Sequence, residues 1–335
     1  MVALVRSAAL THFTELAEAC GMDARALVAS VALPPRCLVD PDLKVPAKLV
    51  GRLLERAALQ AGEPAFGLRM AESRRLSNLG PLALLVRDAP TLRGALETLV
   101  HHIHMHNEAV AVQVDEHGGL VVIRTELTAD GSGSFRQATE LVVGVCCRVL
   151  QVLLGAQWQP RLVCFTHPAP PSLAVHHRVL GRAVEFGHEF NGIVCNAADL
   201  DAPNPGADPV LARYSQRLLA PALAQSGRMA DRVRQLVVLL LPRGLCRVEV
   251  VAQHLGVDRR TVHRKLAAES TSFTAIVDAV RCDLAQRYVE DTERPLTDVA
   301  ALLGFSAPSA FSRWHATRAG TSAARRRASV RAARA

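Results

Sequence analysis

The chain has 335 residues, half of them apolar, with a net charge of +8 at pH 7. That length is expected to form two domains, and the apolar share supports packed cores. Aromatic residues at 4% are too sparse for stacking platforms that bind single strands. No uninterrupted apolar run reaches the length of a membrane span, and MVALVRSAALTHF lacks a signal-peptide core, so a cytoplasmic protein with no membrane partner is expected. The eight Cys form no CxxC pair or disulfide-like framework, and the adjacent Cys146 and Cys147 read as buried small apolar side chains.

In chain order, the spacing of apolar residues predicts helices at Ala8–Cys20, Ala47–Ala61, Pro81–Arg87, Thr91–His102 and Gln137–Leu154. Strands are predicted at Ala109–Asp115 and Leu120–Glu126, joined by a hairpin turn at Glu116-His117-Gly118-Gly119. Arg161–Thr166 and Gly192–Asn196 read as further strands, so residues 1–223 form an α+β domain rather than a parallel α/β sheet.

Between helix and hairpin lies HHIHMH, with His102 and His106 one turn apart. Zinc sites are completed by further N, S or carboxylate ligands, and none stands here at recognisable spacing, so no metal or other cofactor is expected. The segment reads as a polar helix end running into a strand, with His104, His106 and Asn107 as candidates to face a ligand pocket. Arg136 and Glu140, one turn apart, read as a surface pair. GSGSF, residues 131–135, reads as a loop without the Lys or spacing of a phosphate-binding fingerprint.

DAPNPGADP, Asp201–Pro209, reads as a loop before a helix at Val210–Leu223. Residues 224–228 read as the linker, because the charge changes there. From Arg228 onward, 19 Lys and Arg face 10 Asp and Glu, whereas the preceding residues carry 20 against 21. A basic module joined to a neutral domain is the electrostatic footprint of duplex binding.

Residues 229–322 read as an all-α domain. A supporting helix, Met229–Leu241, stops at Pro242 and Gly244. Two similar passages follow: VEVVAQHLGVDRRTVHRKL, Val248–Leu266, and LTDVAALLGFSAPSAFSRW, Leu296–Trp314. Each places an Ala four residues before a Gly, Ala252/Gly256 and Ala300/Gly304. The small Ala lets two helices cross closely and the Gly permits the turn, giving two helix-turn-helix units.

Asp258 is expected to cap the first reading helix, Arg259–Ala268, and Ser306 the second, from about Ala307 to Arg318. A long amphipathic helix, Ser272–Asp291, joins the two units and spans about 30 Å. That length suits two reading helices set about one duplex turn apart. Arg259, Arg260, Thr261, His263 and Arg264 are the candidate DNA contacts of the first unit, and Pro308, Ser309, Ser312 and Arg313 those of the second. Arg can pair bidentately with guanine, while short hydroxyl side chains contact bases or phosphates. The tail from residue 323 to 335, rich in Arg, is expected to be disordered and to attract phosphates non-specifically.

Two other classes of protein compete on this sequence. A DNA-targeted enzyme needs a nucleophile elbow, a zinc deaminase pattern or a reactive-Cys signature, and none is found, so the chain is read as a non-enzyme. An architectural DNA binder would lack an effector and is distinguished by a ligand that stabilises residues 1–223.

GFSAPSAFSRW followed by AGTS, together with LGVDRRTVHRKLAAE, resembles the AraC/XylS family of bacterial transcription regulators over about Arg228–Arg327. His315 stands where the family usually has Phe, and Gly320-Thr321-Ser322-Ala323 lacks the usual Pro. VPAKLVGRLLERAA, GEPAFGLRMAE and LGPLALLVRDAPTLRGALETLV resemble the family's "arabinose-binding" type N-terminal domain, over roughly Ala3–Leu223. The resemblance implies a sequence-specific regulator of promoter or operator DNA, usually an activator. It further implies an unidentified small-molecule effector, RNA polymerase as a partner, and self-association as a homodimer.

Overall fold

A computed structural model describes residues 3–127, 135–225, 228–290 and 294–334, which divide into two compact units with the boundary in the chain near residue 227. Residues 131–134 of the GSGSF loop lie outside the described residues.

The first unit is α+β. Strand β1 (Leu4–Arg6) pairs antiparallel with β2 (Lys44–Pro46). Around them stand α1 (Phe13–Ala19), α2 (Ala24–Ser30), α3 (Ala47–Ala61), α4 (Phe66–Glu72), α5 (Pro81–Arg87) and α6 (Leu92–His106). Then come β3 (Val110–His117), β4 (Leu120–Leu127), α7 (Arg136–Leu154), β5 (Leu162–Cys164), α8 (Ala174–Leu180), β6 (Val184–Glu185), β7 (Gly192–Asn196), α9 (Ala197–Leu200) and α10 (Pro209–Gln225). The five longer-range strands form one sheet in the order β3-β4-β7-β5-β6, antiparallel except for β5 with β6. The β3–β4 loop is two residues long, and Gly118 and Gly119 both hold positive φ, +58° and +79°. That is the backbone a tight twisted hairpin needs, and glycine adopts it without a Cβ clash.

Helix α7 is the spine of this unit. It is long and apolar enough to cross a membrane by length and composition alone, although it contains Arg136, Glu140 and Arg148. Half of its apolar stretch is buried in the domain, which is how a core helix behaves. A Cβ on Gly67 would stand 2.0 Å from the Gln137 carbonyl oxygen, and one on Gly144 would stand 2.6 Å from Ala71 Cβ. Backbone-to-backbone approach of α4 and α7 therefore depends on these two glycines. The start of α7 is pinned by Gln137, whose backbone N–H donates to Glu55 at 2.7 Å and whose side chain accepts from Gly67 N at 2.8 Å.

The expected Ala8–Cys20 helix is two pieces. A single 3₁₀ turn, Ser7–Leu10, ends before His12, whose φ is +63°, and α1 starts beyond it. The guanidinium of Arg74 donates to the carbonyls of Ala8 and Ala9, a tertiary bond that competes with helix continuation. In the other direction, the helix expected to end at His102 runs through the whole histidine cluster to His106, with Asn107 as its C-cap. All eight cysteines are free; Cys147 is fully buried, whereas Cys146 lines a cavity.

The second unit is all helical: α11 (Met229–Leu240), α12 (Val248–His254), α13 (Arg259–Ala268), α14 (Phe273–Glu290), α15 (Leu296–Leu302), α16 (Pro308–Ala319) and α17 (Ala323–Arg334). Its core joins Val233 and Val237 of α11 to Val251, Val262, Leu266, Val280, Leu284, Val299 and Phe311. Glu269, after α13, accepts from the N–H groups of Met229 and Ala230 at 2.7 and 2.8 Å and so satisfies the start of α11.

Two expectations fail here. The tail is a helix, not a disordered segment. Ala323 is buried, and Arg327 donates to the carbonyls of Val289, Arg294 and Tyr288 at 3.1, 2.6 and 3.1 Å. Composition marked these arginines as solvated charge, but one closes the carbonyl end of α14. Ser306 is not the cap of α16: the helix begins one residue later, with Ala307 at the cap and Pro308 in the first turn. Pro lacks the N–H that a capping side chain seeks there.

Candidate nucleic-acid interface and effector cavity

The first reading helix is built as its sequence requires. Asp258 accepts from Thr261 N at 2.7 Å with one carboxylate oxygen and from Thr261 Oγ1 at 3.1 Å with the other. Both hydrogen bonds hold its carboxyl below the usual carboxylate range. Val262 and Leu266 are buried, so the helix has one inward face. Arg260, His263 and Arg264 are exposed on the remainder and form no ion pair among the described residues. Arg259 is also exposed but pairs with Glu249 of α12 at 3.1 Å. Of five candidates, three present free polar heads and two are engaged within the motif.

In the second unit, Gly304 turns the chain at φ +71°, and Arg281 of α14 holds that turn by donating to the Leu303 carbonyl at 3.1 Å. Its guanidinium also lies over the Phe305 ring, 5.1 Å from the centroid. Pro308, Ser309, Ser312 and Arg313 are all exposed. Ser312 Oγ donates to the Pro308 carbonyl at 3.0 Å, which leaves Ser309 and Arg313, one turn apart, as the polar heads facing outward. His315, at the family's Phe position, is buried and its Nδ1 stands 2.9 Å from the Thr321 carbonyl, joining the end of α16 to the start of α17.

The first unit holds an apolar cavity of about 140 Å³, partly open, between α3, α6, α7 and the β3–β4 hairpin. His106 and Asn107 line it; His104 is buried on the same helix but does not. Burial and the nearby guanidinium groups of Arg6 and Arg74 push His106 down to about 3, so its ring is neutral. Arg74, 5% exposed, also lines the cavity and was missed in the sequence. Nothing around its position announces burial, since its carbonyl partners lie more than sixty residues away. Burial also pushes the Cys146 thiol, on the cavity wall, up to about 12, so it is not a reactive thiolate.

Arg136 and Glu140 do form an ion pair at 2.9 Å, but it is not a surface pair: Glu140 has no exposure at all. His176 Nε2 and His167 Nε2 stand 3.2 and 3.5 Å from the same carboxylate oxygen. Burial raises the Glu140 carboxyl, but His176 and Arg136 outweigh it and hold the group below its ordinary range. Glu55, one helix away, is pushed up to about 7, mainly by burial. The i, i+4 spacing showed that the pair exists, but not that α8 covers it. Among the described residues, no group of three or more His, Cys, Asp and Glu side chains is placed to hold a metal ion.

Two helix-turn-helix units in one helical domain, joined to an α+β domain with an apolar cavity, define a DNA-binding transcription regulator. Residues 21–204 match the family described as the arabinose-binding domain of AraC transcription regulators, and residues 251–329 match a helix-turn-helix domain family. The HTH-type transcriptional regulator VirS of Mycobacterium tuberculosis is 30% identical over 92% of each chain. The ornithine utilization regulator of Pseudomonas aeruginosa is 26% identical over 88% of this chain and 87% of its own. The transcriptional activator NphR of a Rhodococcus species is 28% identical over 44% of this chain and 54% of its own. The chain belongs to the AraC/XylS family of transcription regulators.

Proposed function

We propose that α13 and α16 enter successive major grooves on one face of a promoter duplex. Arg260, His263 and Arg264 read one groove, and Arg313 with Ser309 reads the next. Arg259, Thr261, Ser312 and Pro308 set the helices rather than select bases, because their polar groups are engaged within the motif or absent. The observation that carries this reading is the exposed, unpaired cationic head group on each second helix of a buried, tandemly repeated motif. Helix α14, 18 residues and so about 27 Å long, is the spacer. The duplex repeat it has to match is about 34 Å.

The cavity of the first domain is the effector pocket, with His106 and Asn107 on its wall. The output is activation through RNA polymerase, a reading supported by the printed name of NphR. Self-association as a homodimer uses α10, where Val210, Tyr214 and Leu218 are exposed one turn apart.

The test begins with selection of bound sequences from random duplex DNA by the full chain. Titration of the selected duplex with Arg260→Ala and Arg313→Ala follows. Each substitution weakens binding by about 1–3 kcal/mol and relaxes selection at one position. Unchanged binding by both variants rejects the groove assignment.

A further inference from the structure

The cavity in the first domain has one charged wall and a hydrocarbon body. Val50, Leu54, Leu99, Ile103, Leu141 and Val145 supply most of the body. Arg74 stands at the polar wall, nine-tenths and more buried. Two of its nitrogens donate to the carbonyls of Ala8 and Ala9, and its Nε–H is buried with no hydrogen-bond partner. Neutral carbonyls satisfy hydrogens but do not neutralise a charge. No carboxylate forms an ion pair with Arg74 among the described residues, whereas its neighbour Arg6 is paired with Asp42. His106, in contact with Arg6 and within the electrostatic reach of Arg74, is neutral and offers no compensating charge.

A buried cation without a counter-charge is costly, because desolvation is not repaid by Coulomb attraction. Burial lowers the Arg74 pKa to about 10, which still leaves it fully charged at neutral pH. The site therefore lacks one negative charge beside a hydrocarbon-lined space.

On the reading that this cavity is the effector pocket, we propose that it takes an amphipathic monoanion, with its carboxylate on Arg74 and its hydrocarbon body between α3, α6 and α7. A planar carboxylate matches the guanidinium edge that carries the free Nε–H. The charge balance selects a monoanion, since Arg74 is the buried guanidinium on this wall without an acidic partner, whereas Arg75, which also lines the cavity, is exposed to solvent that screens its charge. The volume, about 140 Å³, admits a body on the order of ten non-hydrogen atoms. Ligands with hydroxyl or ammonium groups along their whole length, such as sugars, are disfavoured, because groups away from the polar lining at Arg74, Arg75, Asn78, His106, Asn107 and Thr125 would lose water against Leu, Ile and Val.

Three probes of matched length applied to the full chain test this: octanoate, 1-octanol and octylamine, read by calorimetric titration and by the shift in thermal unfolding. Octanoate binds at least tenfold tighter than octanol, and octylamine gives no stabilisation. Arg74→Gln removes the charge and keeps an amide donor near the position of Nε, though not at the Nη positions that reach the Ala8 and Ala9 carbonyls; it lowers octanoate affinity at least tenfold and leaves octanol unchanged. Val145→Phe fills the hydrocarbon end without touching Arg74, and binding of both probes is lost while the protein stays folded. Equal affinity for octanoate and octanol, octanoate binding that survives Val145→Phe, or failure of octanoate to bind the folded chain overturns the proposal. A separate arm titrates the selected duplex with and without saturating octanoate. Octanoate that binds as described but leaves duplex affinity unchanged upholds the ligand chemistry and removes the effector role instead.

Discussion

Arg6 Nη1 stands 3.2 Å from His106 Nδ1. A guanidinium can only donate, so Nδ1 accepts and the single proton of the neutral ring sits on Nε2. The first strand of the chain thereby sets the tautomer of a residue a hundred positions later, on the wall of the cavity in the first domain.

That neutral ring has a measurable consequence. His106 sits near 3 in the folded protein against about 6.5 when free. In that window the unfolded chain binds a proton that the folded chain refuses, so stability falls as pH drops below 6.5. Glu55 acts oppositely. Its pKa is about 7 when folded, so its contribution is full below the ordinary carboxylate value and is lost as pH rises towards 7. Thermal unfolding of His106→Gln between pH 4 and 7 is expected to lose less stability on the acid side than the parent. Glu55→Gln is expected to flatten the opposite slope, by up to about 1.4 kcal/mol per pH unit. Parallel curves for parent and variants contradict both assignments.

Salt dependence separates the two kinds of cation on the DNA-binding domain. A residue that meets a phosphate changes the slope of binding against salt by about one, whereas a base reader changes sequence preference. Arg260→Ala and Arg313→Ala are expected to alter preference at one position each. Arg259→Ala, whose partner is Glu249, is expected to leave preference intact and change affinity little. Equal loss of preference in all three variants would show that the exposed heads are not distinguished as described.

The arginine that closes α14 has a structural role. Arg327→Ala removes three donors from the carbonyls of Val289, Arg294 and Tyr288. Denaturant unfolding of the full chain is expected to show the C-terminal domain weakened by about 1–3 kcal/mol. Arg325→Ala, at an exposed position on the same helix, is expected to have the smaller effect of a surface change.

The contact between α4 and α7 is tight enough to reject a methyl group. Gly144→Ala places Cβ against Ala71 and Leu68, and overpacking of this kind costs about 1–3 kcal/mol. At Gly94 in α6 the same added atom meets nothing closer than 3.8 Å, so Gly94→Ala is expected to be neutral or mildly stabilising. A loss at Gly94 as large as at Gly144 would contradict the packing described.

The tandem motif was legible because its constraints are local. An Ala four residues before a Gly, apolar residues at helical spacing and an Asp three residues before the N–H it caps are all visible within one passage. The β3–β4 hairpin was legible for the same reason, through two adjacent glycines that only a tight turn requires. His106 and Asn107 could be singled out as candidates because polar residues cluster where a helix runs into a strand.

What the sequence could not disclose rests on contacts between distant positions. The identity of Arg74 says nothing about burial; the carbonyls of Ala8 and Ala9 decide that, and they also break the first expected helix. The helical spacing of Arg136 and Glu140 showed the pair, but only the packing of α8 placed His176 against it and removed it from solvent. The arginines of the tail looked like free charge until α14 presented its last carbonyls to one of them. Periodicity and turn chemistry are properties of neighbours in the chain, whereas burial and charge balance belong to neighbours in space, and the tertiary fold alone determines who those are.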